Sequence, residues 1–230
     1  QHNKKKVSTS NITIGESHVT PAATVTNIGA TLDSSLSMEQ EVKAKCKSAW
    51  GNLYCLSKIK KYLSTEQLTT AVIAYVISKL DQNNSLLYRL PATLIDKLQR
   101  IQNAAARMIC GARKYDHASP LLFKLHWLPV SYRIKFKLLL MTFKALHGEG
   151  PSYITNLLVP YQPERSLRSG DHNLLVEPRV HSTYGDRAFS AAAPRLWNGL
   201  PIYVRDSATT AAFKSNLKTL LFREAFSQFL

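Results

Sequence analysis

The sequence has no long apolar run, no adjacent acidic residues, no glycine-rich loop and only three cysteines. Each shortage removes a class of function. A bilayer-spanning helix needs roughly 20 apolar residues, and no stretch approaches that, so no membrane partner is expected. Cys46, Cys55 and Cys110 form no CxxC pair. Their odd number and wide spacing argue against a zinc site and a disulfide partner, and fit reduced thiols in a nuclear or cytoplasmic compartment. Two-metal polymerases and nucleases need clustered carboxylates, and none of the 15 acids has an acidic neighbour. Glu39 and Glu41, two apart, are expected on a helix surface facing different ways. The nine glycines are dispersed, with no GxGxxG or P-loop spacing. His117 and His126 have no Cys or acidic cluster beside them and read as capping or core residues. No nucleophile elbow supports a Ser/His/Asp triad. The expectation is a chain that is not itself an enzyme, with no catalytic, cofactor-binding or metal-binding residues. Gln1 to Lys6 supply no initiator Met and lead into no apolar signal core, so we expect an unsecreted segment of something longer.

What is present is positive charge. Thirty Lys and Arg stand against 15 Asp and Glu, giving +15 and a pI near 9.8. Such an excess repels itself in a folded chain, and a polyanion is its simplest partner, because each neutralised phosphate releases counterions. The excess is uneven: +1 over residues 1–36, +8 over 37–114 and +6 over 115–230. A hydrophobic content of 45% allows a real core.

The expected fold is mainly α, with a small N-terminal β-hairpin element, a three-helix bundle and a helical C-terminal part with a long irregular stretch. Residues 10–33 read as β: Ile12 and Ile14 alternate with polar neighbours, Gly15-Glu16-Ser17 turns, and His18-Val19 returns. A second run, Val25 to Leu32, places Ile28, Ala30 and Leu32 on one face. Ser37 with Gln40 reads as a capping box opening a helix to about Leu63, with Val42, Cys46, Ala49, Trp50, Leu53 and Leu56 inward. Ser64 with Gln67 opens another, with Leu68, Val72, Tyr75, Val76 and Leu80 inward. Pro91 begins a third, with Leu94, Leu98, Ile101, Ala105 and Ile109 inward and Gly111 as its stop. Its other face carries Lys97, Gln99, Arg100, Gln102, Asn103 and Arg107. Shorter helices are expected over Ser119–Lys124, from Pro129 to about His147 and over Ser152–Val159. Residues 160–187 read as irregular, with extended pieces near Leu174–Val176 and Val180. Ser190–Trp197 and Thr209–Phe226 close the chain as helices.

Basic helix surface with interleaved aromatics is the remaining functional signal. The nucleic-acid-binding candidates are Lys97, Arg100 and Arg107, followed by Lys60, Lys61, Arg133 and Lys137. For Arg187 and Trp197 a structural role is expected: an Arg holding backbone carbonyls and a Trp filling a small core.

Four runs, in one order along nearly the whole chain, resemble a known family. They are Ser78–Leu87 with Leu90-Pro91 and Leu98–Arg107, then Leu125-His126-Trp127-Leu128-Pro129-Val130 with Arg133-Ile134 and Phe136-Lys137. Gly185–Ser190 running into Ala193–Pro201 follows, and last the closing Phe213-Lys214 to Phe222. Together they resemble the C-terminal region of LINE-type non-LTR retrotransposon reverse transcriptases. The resemblance implies that residues 1–36 are a palm-end, primer-grip-like β element, with Gly29 and Asp33 shaping the grip. It implies a thumb-like helical bundle over 37–114 and a post-thumb domain over 115–230. The implied partners are RNA and DNA and the rest of the polymerase. The parent would be an RNA-directed DNA polymerase, and its Mg and catalytic carboxylates would lie upstream of this chain. The chain departs from the family at Asp81-Gln82-Asn83-Asn84, where Asp-Tyr-Cys-Asn is common, and at Ile28-Gly29-Ala30, where Leu-Gly-Val is common. Both departures imply a diverged copy. The alternative expectation is a helical protein-interaction scaffold derived from a degenerate retroelement copy.

Overall fold

The computed structural model describes residues 12–162 and 173–229, so residues 10 and 11 of the expected β region and 163–172 of the expected irregular stretch lie outside the described residues. The architecture is mainly α with a small N-terminal β element. Strands β1 (Ile12–Ile14) and β2 (Ser17–Val19) form one antiparallel hairpin. Strands β3 (Thr24–Asn27) and β4 (Ala30–Asp33) form a second.

The run Val25–Leu32 is therefore a hairpin and not a single strand. Ile28 and Gly29 are its two turn residues, with φ of 48° and 72°. Two left-handed residues match the twist of the flanking strands, and a β-branched residue in that conformation is strained. Ile28 points to solvent at 87% exposure, whereas Ala30 is buried. The turn docks on the polar segment 81–84: Asn83 Nδ2 donates to the Ile28 carbonyl at 3.1 Å. A Cβ on Gly29 would stand 2.8 Å from Gln82 Nε2.

Helix α1 (Glu39–Ile59) starts without the expected Ser37–Gln40 capping box. Asp33 instead fixes the turn before the helix, accepting from the Ser35, Ser37 and Met38 backbone amides and both serine hydroxyls, while the Glu39 amide donates to Ser37 Oγ at 3.3 Å. Glu41 is buried, against expectation, and so is Lys45; they pair at 3.2 Å. Glu41 also accepts from the Thr31 amide, and Lys45 donates to the Lys79 and Gln82 carbonyls. This pair clamps β4 and the 79–82 segment onto α1. Two acids two apart on a helix do face different ways, and one of those ways is inward.

After a 3-10 turn (Lys60–Tyr62), helix α2 (Thr65–Val72) opens on the expected Ser64–Gln67 capping box. A π-helical segment (Ile73–Ile77) then leads to α3 (Ser78–Asp81). A π turn rotates less per residue than an α turn. Ile77 therefore swings into the core and Tyr75 swings out to solvent, the reverse of their α-helical placement. Asn52 of α1 donates to the Tyr75 carbonyl at 2.6 Å, satisfying a group in the altered ladder. A 3-10 turn (Asn84–Leu87) precedes α4 (Ala92–Cys110), whose five expected inward residues are all buried. Gly111 ends α4 in the left-handed conformation.

Helices α5 (Ala118–Lys124) and α6 (Val130–Leu146) follow. The Gln99, Gln102 and Asn103 side of α4 is not solvent surface. Gln99 Oε1 accepts from the Val130 amide at 2.8 Å, Gln102 donates to the Leu128 carbonyl at 2.9 Å, and Gln99 Nε2 donates to both Gln102 and Asn103. The remaining elements are α7 (Ser152–Thr155, shorter than expected), a 3-10 turn (Gly185–Arg187) at the end of the irregular stretch, α8 (Phe189–Asn198), α9 (Ile202–Arg205), α10 (Thr210–Ala225) and a last 3-10 turn (Ser227–Phe229). Helix α9 has no counterpart in the sequence reading. The Pro160–Leu175 bridge is the one extended pairing described in the irregular stretch.

Two apolar clusters form the core. The first joins α1, α2 and α4 to Leu122, Trp127, Val130, Ile134 and Leu138. The second joins Leu139 and Phe143 of α6 to Trp197, Val204, Phe213 and Leu217. Helix α6 lies between them and feeds both.

Candidate nucleic-acid interface

Helix α1 packs its apolar side on α4 and leaves a long outer face. Lys43, Lys47, Trp50, Tyr54 and Lys58 recur on it at spacings of four, three, four and four, so they form one exposed stripe. Trp50 had been expected in the core; its position beside Lys47 and Tyr54 puts it on the stripe at 45% exposure. Lys58 Nζ sits 4.8 Å from the Tyr54 ring centre, and Lys61 Nζ 4.7 Å from that of Tyr62. Lys60 and Lys61 are exposed on the turn that continues α1.

Helix α4 widens the stripe. Lys97 and Arg100 are both exposed. Lys97 shares a shallow hollow with Glu39, Gln40, Lys43 and Cys46, so the basic surface runs unbroken from α1 to α4 with one acid at its edge. The Cys46 thiol is held above its usual range by burial, and the Lys97 ammonium opposes that shift. Lys43, Lys47, Trp50 and Tyr54 were missed as candidates. Their signal was available as charge and aromatics on the face opposite Val42, Ala49, Leu53 and Leu56.

The other candidates serve the fold to differing degrees. Arg107 is half-buried and donates through Nε to the Asp116 carbonyl at 2.9 Å, closing the loop after α4. Arg133 forms a two-pronged ion pair with Asp81, with Nε 2.7 Å from Oδ1. Lys137 is exposed on α6 beside that pair. Gly29 and Asp33 are committed to the turn and to the start of α1, and the Asp33 carboxyl lies far below its usual range, chiefly because the Ser35 hydroxyl donates to it. Arg187 Nη1 donates to the Leu36 carbonyl at 2.8 Å and Nη2 to the Leu86 carbonyl at 3.4 Å. Trp197 fills the second core at 1% exposure, its Nε1 donating to the Asn173 carbonyl at 2.7 Å. Asp186 bridges Arg89 and Arg195 at 3.6 and 3.1 Å.

Among the described residues no group of three or more His, Cys, Asp or Glu is placed to hold a metal ion. None of the three cysteines is in a disulfide, and no described helix is long and apolar enough to cross a membrane. No family model, curated protein or solved structure matches the chain.

Proposed function

We propose that this chain is a non-catalytic nucleic-acid-binding segment that holds an RNA–DNA duplex on the outer face of α1 and α4. The carrying observation is the exposed stripe of Lys43, Lys47, Trp50, Tyr54 and Lys58, flanked by Lys97 and Arg100. Ammonium and guanidinium groups spaced along two helices suit a row of phosphates, and the aromatics suit riboses and bases between them. With the ordered motifs described above, this reading makes the chain the palm-end, thumb and post-thumb region of a LINE-type reverse transcriptase. Its partners would be template RNA, DNA and the rest of the polymerase, in a nuclear or cytoplasmic setting.

Five exposed bases facing phosphates predict a log–log salt slope of about −4 to −5 for binding a short hybrid duplex. Filter binding over a series of salt concentrations measures it. Lys97→Ala with Arg100→Ala should cut that slope by about two while circular dichroism stays unchanged. Salt-independent binding, or no binding at low salt, would sink the proposal. A protein-scaffold reading has one observation of its own: Ile12, Ile14, Val25 and Ile28 are exposed on the two hairpins. That reading predicts no hybrid binding and salt-insensitive capture of an apolar protein surface.

A further inference from the structure

A second surface lies apart from the α1–α4 stripe. The π segment, the 126–128 link and α6 border a half-open hollow of about 410 Å³. That is within the range of ligand-sized clefts. Its accessible lining is mostly apolar: Ile73 contributes at 46% exposure, and Phe136 and Leu140 of α6 are half-buried. Ile73 also opens the π segment, an irregularity that recurs at functional sites. The polar groups beneath are already committed. Asp81 and Arg133 hold each other in a two-pronged ion pair, and Asn84 is sealed in the core at 4% exposure.

The free charge beside this hollow has one sign. Lys137 of α6 and Lys218 of α10 line it and are exposed. Lys214, four residues before Lys218, lies on the same face of α10 and is exposed too. Among the described residues none of these three lysines is in an ion pair. Unpaired ammonium groups beside wet apolar surface gain twice from a partner that brings carboxylates and an apolar side chain together.

Candidate occupants differ in what they need. A nucleobase would bury its polar edge where Asp81, Arg133 and Asn84 are already taken, and each unmet donor or acceptor costs about 1–3 kcal/mol. A bilayer presents a flat anionic surface, whereas this apolar surface is recessed beside its lysines. An aliphatic or aromatic protein side chain fills the hollow and leaves no polar atom unpaired. We infer that this hollow docks an acidic segment of a partner protein, with one apolar side chain seated against Ile73, Phe136 and Leu140. The carboxylates flanking that side chain meet Lys137, Lys214 and Lys218. The inference stands apart from the nucleic-acid reading above and uses a different surface.

Fluorescence anisotropy of the full chain with a labelled probe peptide tests it. The probe is a helix of about 20 alanines and glutamates with one leucine at its centre. Replacing that leucine by alanine should weaken binding about tenfold, the loss of one buried side chain. Lys137→Ala with Lys218→Ala, both surface changes, should weaken binding of the leucine probe about tenfold. Ile73→Glu, at an exposed position, should abolish the difference between the two probes while circular dichroism stays unchanged. Lys97→Ala with Arg100→Ala should leave probe binding as it is. Absent binding, or equal binding of the leucine and alanine probes, overturns the inference, as does a Lys137→Ala, Lys218→Ala protein that binds the leucine probe normally. Single-stranded oligo-A and phosphatidylserine vesicles are the remaining arms. If either loses more affinity than the probe in that double variant, the hollow belongs to a nucleic acid or to a lipid surface, and the inference falls. Failure to bind hybrid duplex removes the duplex-holding role and leaves this result standing.

Discussion

Asp33 accepts hydrogen bonds from two hydroxyls and three backbone amides within five residues. Every one of these donors favours the carboxylate over the acid, which is why its proton is held so weakly. The consequence for stability has a definite sign. A carboxyl whose folded pKa lies below its unfolded value of about 3.9 contributes its full stabilisation above that value and loses it as pH falls through the folded pKa. Asp33→Asn should therefore cost about 1 kcal/mol at neutral pH, the net magnitude of a lost hydrogen bond. The gap between the two proteins in urea unfolding should hold constant down to about pH 5 and narrow below pH 4. A gap that widens on acidification would show that Asp33 does not carry this charge in the folded state.

At the scale of elements, the π segment makes the sharpest claim. An unbroken α-helix through 65–81 would bury Tyr75 and expose Ile77; the structure does the opposite. Tyr75→Ala should then change stability by less than about 0.5 kcal/mol, and Ile77→Ala should cost about 2–5 kcal/mol. Chemical denaturation of the two variants measures both, and a larger loss for Tyr75→Ala would restore the regular helix. This also marks where sequence legibility ends. Helix α4 was readable because Leu94 to Ile109 keep one period and Gly111 stops it, and α10 because Thr209 caps a clean stripe. The π segment was hidden because its period differs from both templates. The β3–β4 hairpin was hidden because Ile28 is an unusual residue for a left-handed turn and is held there by Asn83, 55 positions away. The same limit affected the candidate site. Lys97 and Arg100 stand exposed where the α4 period put them. Arg133 and Arg107 are just as basic in sequence, but their partners, Asp81 and the Asp116 carbonyl, are set by tertiary contact.

At the scale of the whole molecule, the helices that carry the basic stripe do not complete their own core. Leu122, Trp127, Ile134, Leu138 and Phe226 all pack into the cluster beneath α1 and α4. Burying each such side chain is worth about 1.5–3 kcal/mol, so the five together approach the 5–15 kcal/mol by which a domain is stable at all. A fragment of residues 37–114 should therefore lose most of its helicity and show no cooperative thermal transition by circular dichroism, whereas residues 12–229 should melt cooperatively. A sharp, reversible transition in the short fragment would mean the stripe stands on an independent bundle. The outcome bears on binding as well as folding. Lys43, Lys97 and Arg100 hold their mutual spacing only while α1 and α4 stay packed, and it is α5, α6 and the Phe226 turn that close the far side of that packing. The duplex-binding face is thus built by residues before position 114 and held in shape by residues after it, so phosphate affinity should be lost along with helicity in the short fragment.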